Sequence, residues 1–95
     1  MRKLSVSLTG AMLALALAVS TAQAAGPGFC RDYANAALNQ VRAALALPGC
    51  RGGMGGTRWS ANFPVHFNWC LGAPPAAAEE ERAARTAHLR RCRGY

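Results

Sequence analysis

A small, mainly α-helical hairpin stapled by disulfides is the fold the sequence predicts, and three observations predict it. Two stretches, Phe29 to Leu47 and Pro75 to Arg93, have helical composition and spacing, and they flank a Gly- and Trp-rich middle. Four cysteines, Cys30, Cys50, Cys70 and Cys92, are spread evenly through the chain and form no close pair. The part of the chain that must fold is short and short of large apolar side chains. Residues 25–95 hold 34 hydrophobic residues, but 15 of these are Ala. Such a chain has no room for two domains, a Rossmann or barrel enzyme, or a deep cavity within one core. A domain of this size usually needs staples, which the cysteines supply.

Residues 1–24 read as a cleaved secretory signal peptide, and residues 25–95 as a single four-cysteine helical module. Arg2 and Lys3 form a positive n-region, Leu8 to Val19 an apolar h-region, and Ala22-Gln23-Ala24 a small-x-small cleavage site. Cleavage near Ala24/Ala25 gives a periplasmic or secreted protein. The stretch from Leu4 to Val19 has only 16 residues, with Ser5, Ser7 and Thr9 among them, whereas a spanning helix needs about 20 apolar residues.

The first helix is free of Gly and Pro from Phe29 to Leu47. Cys30, Tyr33, Ala37, Val41 and Ala44 recur at helical spacing on one stripe, and Arg31, Asn35, Asn39 and Arg42 on another. Pro48-Gly49 ends it. Residues 48–74 look irregular, with Gly52, Gly53, Gly55 and Gly56 around Met54. Within them, Asn62-Phe63-Pro64 starts a short helix that runs to about Leu71 and stops at Gly72, with His66, Trp69 and Cys70 on one face. In the last helix Pro75 suits the first turn, and Glu79, Glu80 and Glu81 lie toward the positive end of the helix dipole. Arg90, Arg91 and Arg93 lie toward the negative end, and Gly94 can close it. Glu81–Arg85 and Glu79–Arg82 are spaced for ion pairs along this helix.

Export makes disulfides the expected state of the cysteines. Zinc ligands normally come in pairs separated by two to four residues, and no two of the cysteines form such a pair, nor is there a Cys-x-x-Cys motif. A continuous first helix would hold Cys30 and Cys50 roughly 25–30 Å apart at about 1.5 Å per residue, too far for a bond. The last helix separates Cys70 from Cys92 in the same way. Two pairings remain: antiparallel long helices favour Cys30–Cys92 with Cys50–Cys70, and parallel ones favour Cys30–Cys70 with Cys50–Cys92. The first is preferred, because it closes the Gly-rich loop locally and clasps the open ends.

Phe29-Cys30-x-x-Tyr33-Ala34, a central Arg58-Trp59-Ser60, His66-x-x-Trp69-Cys70 and a final helix ending Leu89-x-x-Cys92 resemble a family of small exported bacterial proteins built on one four-cysteine module. The resemblance covers essentially the whole of residues 25–95. It implies export and a single module, and it implies no activity and no site residues.

An enzyme is not expected. Ser60, His66 and Asp32 are the raw material of a triad, but no nucleophile-elbow glycines frame Ser60, and the three glutamates are consecutive. No metal site or cofactor is expected either; His66, His88 and Met54 would make only a loose copper site. His88 is expected on an exposed Arg-rich face, Met54 in a flexible glycine run, and His66 packed beside Trp69.

Binding or structural work in the cell envelope is the better expectation. Trp59, Trp69, Phe63 and Phe67 fall in one 11-residue window beside Arg58, Asn62, His66 and Asn68. The candidate binding residues are Arg58, Trp59, His66, Asn68 and Trp69, which suit a sugar ring or an anionic envelope polymer. The competing expectation is that these aromatics are core, with one Trp partly exposed. Residues 25–95 carry nine arginines, no lysine and four carboxylates, a formal charge of +5. An Arg-rich anion binder, for lipopolysaccharide or another polyanion, is therefore the alternative function. Specific nucleic-acid recognition is not expected, nor stable membrane insertion after cleavage, since Ala84, Leu89 and Cys92 form too thin an apolar face.

Overall fold

The computed structural model describes residues 23–93. The expected signal segment through Thr21-Ala22, and the expected Gly94 closure, lie outside the described residues. Among the described residues three α-helices follow one another: α1 (Pro27–Leu45), α2 (Phe63–Leu71) and α3 (Pro75–Cys92), with 3-10 turns at Pro48–Cys50 and Thr57–Trp59. The described residues contain no strand, so the mainly helical, disulfide-stapled class is correct. The short helix expected in the middle is present as α2, nine residues long and packed through His66 and Cys70.

Local chemistry sets the helix ends. Pro27 occupies the first turn of α1, where a missing N–H costs nothing, and extended Gly26 precedes it. The helix therefore starts two residues earlier than Phe29. It stops at Leu45 rather than Leu47, since Leu47 precedes Pro48 and is held extended at φ −114° and ψ 111°. α2 has Pro64 in its first turn and ends at Gly72. Asn62 precedes it without capping through its side chain; its N–H donates to Ser60 Oγ at 3.1 Å.

The buried face of α1 is the expected stripe, Cys30, Tyr33, Ala37, Val41 and Ala44, joined by Ala34. α2 runs back along it: Cys70 meets Cys30, and the rings of Trp69 and His66 lie 5.7 and 6.3 Å from Tyr33. α3 then starts beside the beginning of α1, with Ala78 packed near Cys30, and ends beside its finish, with Leu89 and Cys92 packed near Val41 and Ala44. The long helices are therefore parallel.

This geometry overturns the preferred pairing. The bonds are Cys30–Cys70 and Cys50–Cys92, with Cα separations of 5.5 and 4.8 Å. The physical reason is α2: a nine-residue helix carries the chain roughly 13 Å back toward the start of α1, so α3 sets out from the same end. Each bond anchors one apolar cluster. Ala25, Tyr33, Ala78, Phe29, Phe67 and Leu71 surround Cys30–Cys70. Val41, Ala44, Trp59, Leu47, Met54 and Leu89 surround Cys50–Cys92. No described cysteine is free.

Between the clusters lies a polar layer centred on Arg85, which is fully buried. Its Nε donates to Gln40 Oε1 at 2.7 Å and its Nη1 to the Arg58 carbonyl at 3.1 Å. Gln40 Nε2 in turn donates to the Arg82 carbonyl and Thr86 Oγ1, at 3.2 and 3.0 Å. This corrects the expected Glu81–Arg85 pair: Arg85 points inward to α1, and Glu81 is taken by Arg58.

Candidate functional site

The loop from Gly53 to Trp59 folds over α1 and α2 and leaves an open cleft of about 380 Å³. Gly53 and Gly56 shape its rim with φ of 80° and 83°, a left-handed backbone that side chains rarely adopt. A Cβ on Gly53 would also meet the His88 ring at 3.5 Å. The cleft walls are Tyr33 from α1, Val65, His66 and Trp69 from α2, Thr57, Arg58 and Trp59 from the second 3-10 turn, and Glu81 from α3.

Four of the five candidate binding residues, Arg58, Trp59, His66 and Trp69, thus come together around one space. Asn68 does not; it is exposed on α2 away from the lining. The tryptophans differ in environment. Trp59 is buried at 7% exposure, packed against the Cys50–Cys92 cluster with its ring 4.7 Å from His88. Trp69 is 43% exposed, and one edge rests near Tyr33. Trp59 is therefore principally core, and Trp69 is the indole offered to solvent. Phe63 and Phe67 are half-buried and stack with centroids 5.6 Å apart.

Arg58 and Glu81 cross one wall as a two-pronged ion pair. Arg58 Nε donates to Oε1 at 2.8 Å and Nη2 to Oε2 at 3.0 Å. The hydrogen bonds from Arg58 hold the Glu81 carboxyl below its ordinary value, against a smaller opposing effect of burial. The same bonds and the carboxylate charge raise Arg58. Both side chains keep solvent contact, at 47% and 27% exposure, with their donors and acceptors fixed in direction by the pairing.

His66 is buried, and its Nε2–H donates to the Ser60 carbonyl at 2.7 Å. Where packing beside Trp69 was expected, its ring lies 6.3 Å from that of Tyr33, and it bonds the Ser60 backbone rather than the hydroxyl. Asp32 is exposed on α1 beside Arg31 at 3.7 Å. Ser60, His66 and Asp32 are thus not arranged as a relay. His88 corrects expectation: it is half-buried, donates from Nε2 to the Cys50 carbonyl at 2.8 Å, and faces Trp59. Met54 is likewise packed on the Trp59 cluster rather than loose. No group of three or more His, Cys, Asp or Glu side chains is placed to hold a metal among the described residues.

Tyr33, Val65, Thr57, Glu81 and the three glycines of the rim were not among the candidate binding residues read from the sequence. Tyr33 reads there as one member of an apolar stripe, and Glu81 as a helix-dipole residue. The contact that brings Glu81 to the cleft spans 23 positions, and no local pattern signals it. In comparisons with known proteins, no family model, no curated protein and no solved structure matches the chain.

Proposed function

We propose that the protein is an exported, non-catalytic binding module of the cell envelope, and that its cleft takes a carbohydrate-like ligand. The observation that carries the reading is the contrast between the two indoles: Trp59 is core, while Trp69 stands 43% exposed at the edge of a cleft of about 380 Å³. A flat aromatic face beside the directed donors and acceptors of Arg58 and Glu81 suits a ring that is apolar on one side and hydroxylated at its edge. The bridging of α1 to α2 by Cys30–Cys70 limits the ordering that binding requires.

Two disulfides point to an oxidising, extracytoplasmic compartment, and none of the described helices is long and apolar enough to cross a membrane. Cleavage after Ala24 fits the step in burial between residues 24 and 25. Gln23 and Ala24 are exposed, whereas Ala25 is 7% exposed and its backbone nitrogen donates to the Ala73 carbonyl at 2.8 Å. The resemblance to small exported four-cysteine proteins agrees with this reading.

Titration of soluble cell-wall glycan fragments into the oxidised protein, followed by tryptophan fluorescence, tests the cleft. Binding with little salt dependence, lost in Trp69→Ala while the fold persists, is the expected result. Binding unaffected by Trp69→Ala would remove the cleft from consideration.

A further inference from the structure

The parallel arrangement of α1 and α3 sorts the charge of the molecule. All four carboxylates of residues 25–95 lie toward the beginnings of the two helices: Asp32 on α1, and Glu79, Glu80 and Glu81 on α3. Arg31, Arg58 and Arg82 make ion pairs there with Asp32, Glu81 and Glu79, and buried Arg85 completes that part of the molecule. Four arginines thus offset four carboxylates. The remaining five, Arg42, Arg51, Arg90, Arg91 and Arg93, gather where both long helices finish and Cys50–Cys92 joins them. Each is exposed, and none makes an ion pair among the described residues. The entire formal excess of +5 therefore sits at one pole.

An exposed apolar side chain occupies the same pole. Leu45, the last residue of α1, is 47% exposed, and among the described residues it and Trp69 are the two large hydrophobic residues so exposed. Its carbonyl accepts a hydrogen bond from Arg51 Nε at 3.0 Å, which fixes a guanidinium beside it. Arginines near helix C-termini also complement the helix dipoles, but that role leaves the outer faces of these groups open to a partner.

We propose that this pole is a peripheral docking surface for an anionic lipid bilayer. Five uncompensated guanidinium groups meet the phosphate headgroups, and Leu45 enters the interface between them. The exposed leucine favours a lipid surface over a soluble polyanion, which offers no apolar layer to receive it. The surface is independent of the cleft, and docking by it involves no membrane-spanning element.

The test uses the oxidised protein as processed by an exporting host. It is sedimented with vesicles containing equal parts of phosphatidylglycerol and phosphatidylcholine, and with vesicles of phosphatidylcholine alone. Binding is expected to the first only, and to weaken as salt shortens the range of the attraction, which is about 8 Å near physiological ionic strength. The combined Arg90→Gln, Arg91→Gln, Arg93→Gln variant should bind on the order of a hundredfold more weakly, at roughly fivefold for each arginine near the surface. Leu45→Ser should weaken vesicle binding while leaving any binding to soluble polyphosphate unchanged. Arg31→Gln and Trp69→Ala should leave vesicle binding intact, which separates this surface from the far end and from the cleft. Equal binding to both vesicle types, full binding by the triple variant, or binding to polyphosphate without binding to vesicles would overturn the proposal.

Discussion

The guanidinium carbon of Arg85 lies 5.2 Å from the centre of the Tyr33 ring, and Arg85 is fully buried. A charge in that position is normally paired with a carboxylate. Here the ring face, the Gln40 amide and the Arg58 carbonyl share it, and Nη2 finds no hydrogen-bond partner among the described residues. The side chain connects α3 to α1 and to the loop that forms the cleft. Arg85→Ala leaves a cavity and strands the Gln40 and Arg58 oxygens, and should cost about 2–4 kcal/mol in chemical denaturation. Arg85→Lys should recover only part of this, because an ammonium lacks the planar fork that reaches both acceptors. Wild-type stability in the alanine variant would show that the polar layer holds nothing together.

The two tryptophans should separate stability from binding. Trp59→Ala removes a ring packed on His88 and the Cys50–Cys92 cluster, and a loss of about 3–5 kcal/mol is expected. Trp69→Ala takes away a half-solvated ring, so its midpoint of unfolding should move far less. Comparable losses in the two would mean that Trp69 is core after all and is not offered to a ligand.

Acid should release the Arg58–Glu81 pair. The Glu81 carboxyl is lowered from its ordinary value of 4.5, so the folded chain holds a proton there less tightly than the unfolded chain. The resulting stability is fully present above that ordinary value and is lost as pH falls through the lower folded one. Both groups are partly exposed, so the effect should stay below about 1 kcal/mol. Glu81→Gln should flatten the acid limb of stability below the ordinary carboxylate value. An identical acid limb in that variant would show that the pair contributes nothing to folding.

Non-reducing tryptic mapping checks both the pairing and the expected N-terminus. Peptide 25–31 should be linked to 59–82, and 43–51 to 92–93, since arginines separate every neighbouring pair of cysteines. A first peptide starting at Ala25 would agree with cleavage after Ala24. Links from 25–31 to 92–93 would instead restore the antiparallel clasp.

Reduction should unfold the domain. The bonds span 40 and 42 positions and interleave. Each alone is worth about 4 kcal/mol by loop-closure entropy, a large share of what a domain of this size has. Thiol reduction should therefore abolish the helical signal in circular dichroism near physiological temperature. A reduced protein that stayed fully helical would place the stability in the apolar clusters instead.

The sequence by itself determined what depends on near neighbours. Pro48, Pro64, Pro75 and Gly72 set helix limits through backbone constraints that act within one turn, so three helices were readable to within two residues. The 3.6-residue period identified Cys30, Tyr33, Ala37, Val41 and Ala44 as the buried stripe of α1. Elimination by helix length reduced the cysteines to two pairings.

Only the tertiary structure decided the rest, because each remaining choice depends on contacts tens of residues apart. Whether α3 runs with or against α1 turns on α2 packing back along Tyr33, and that direction selects Cys30–Cys70 with Cys50–Cys92. Arg85 and Glu81, one turn apart and of opposite sign, look like natural partners along a helix. Burial of Arg85 against Gln40 and Tyr33 parts them, and Arg58 takes the free carboxylate. The same parallel packing brings five arginines from three stretches of chain to one pole, since a charge pattern in space follows from helix direction and not from spacing along the chain.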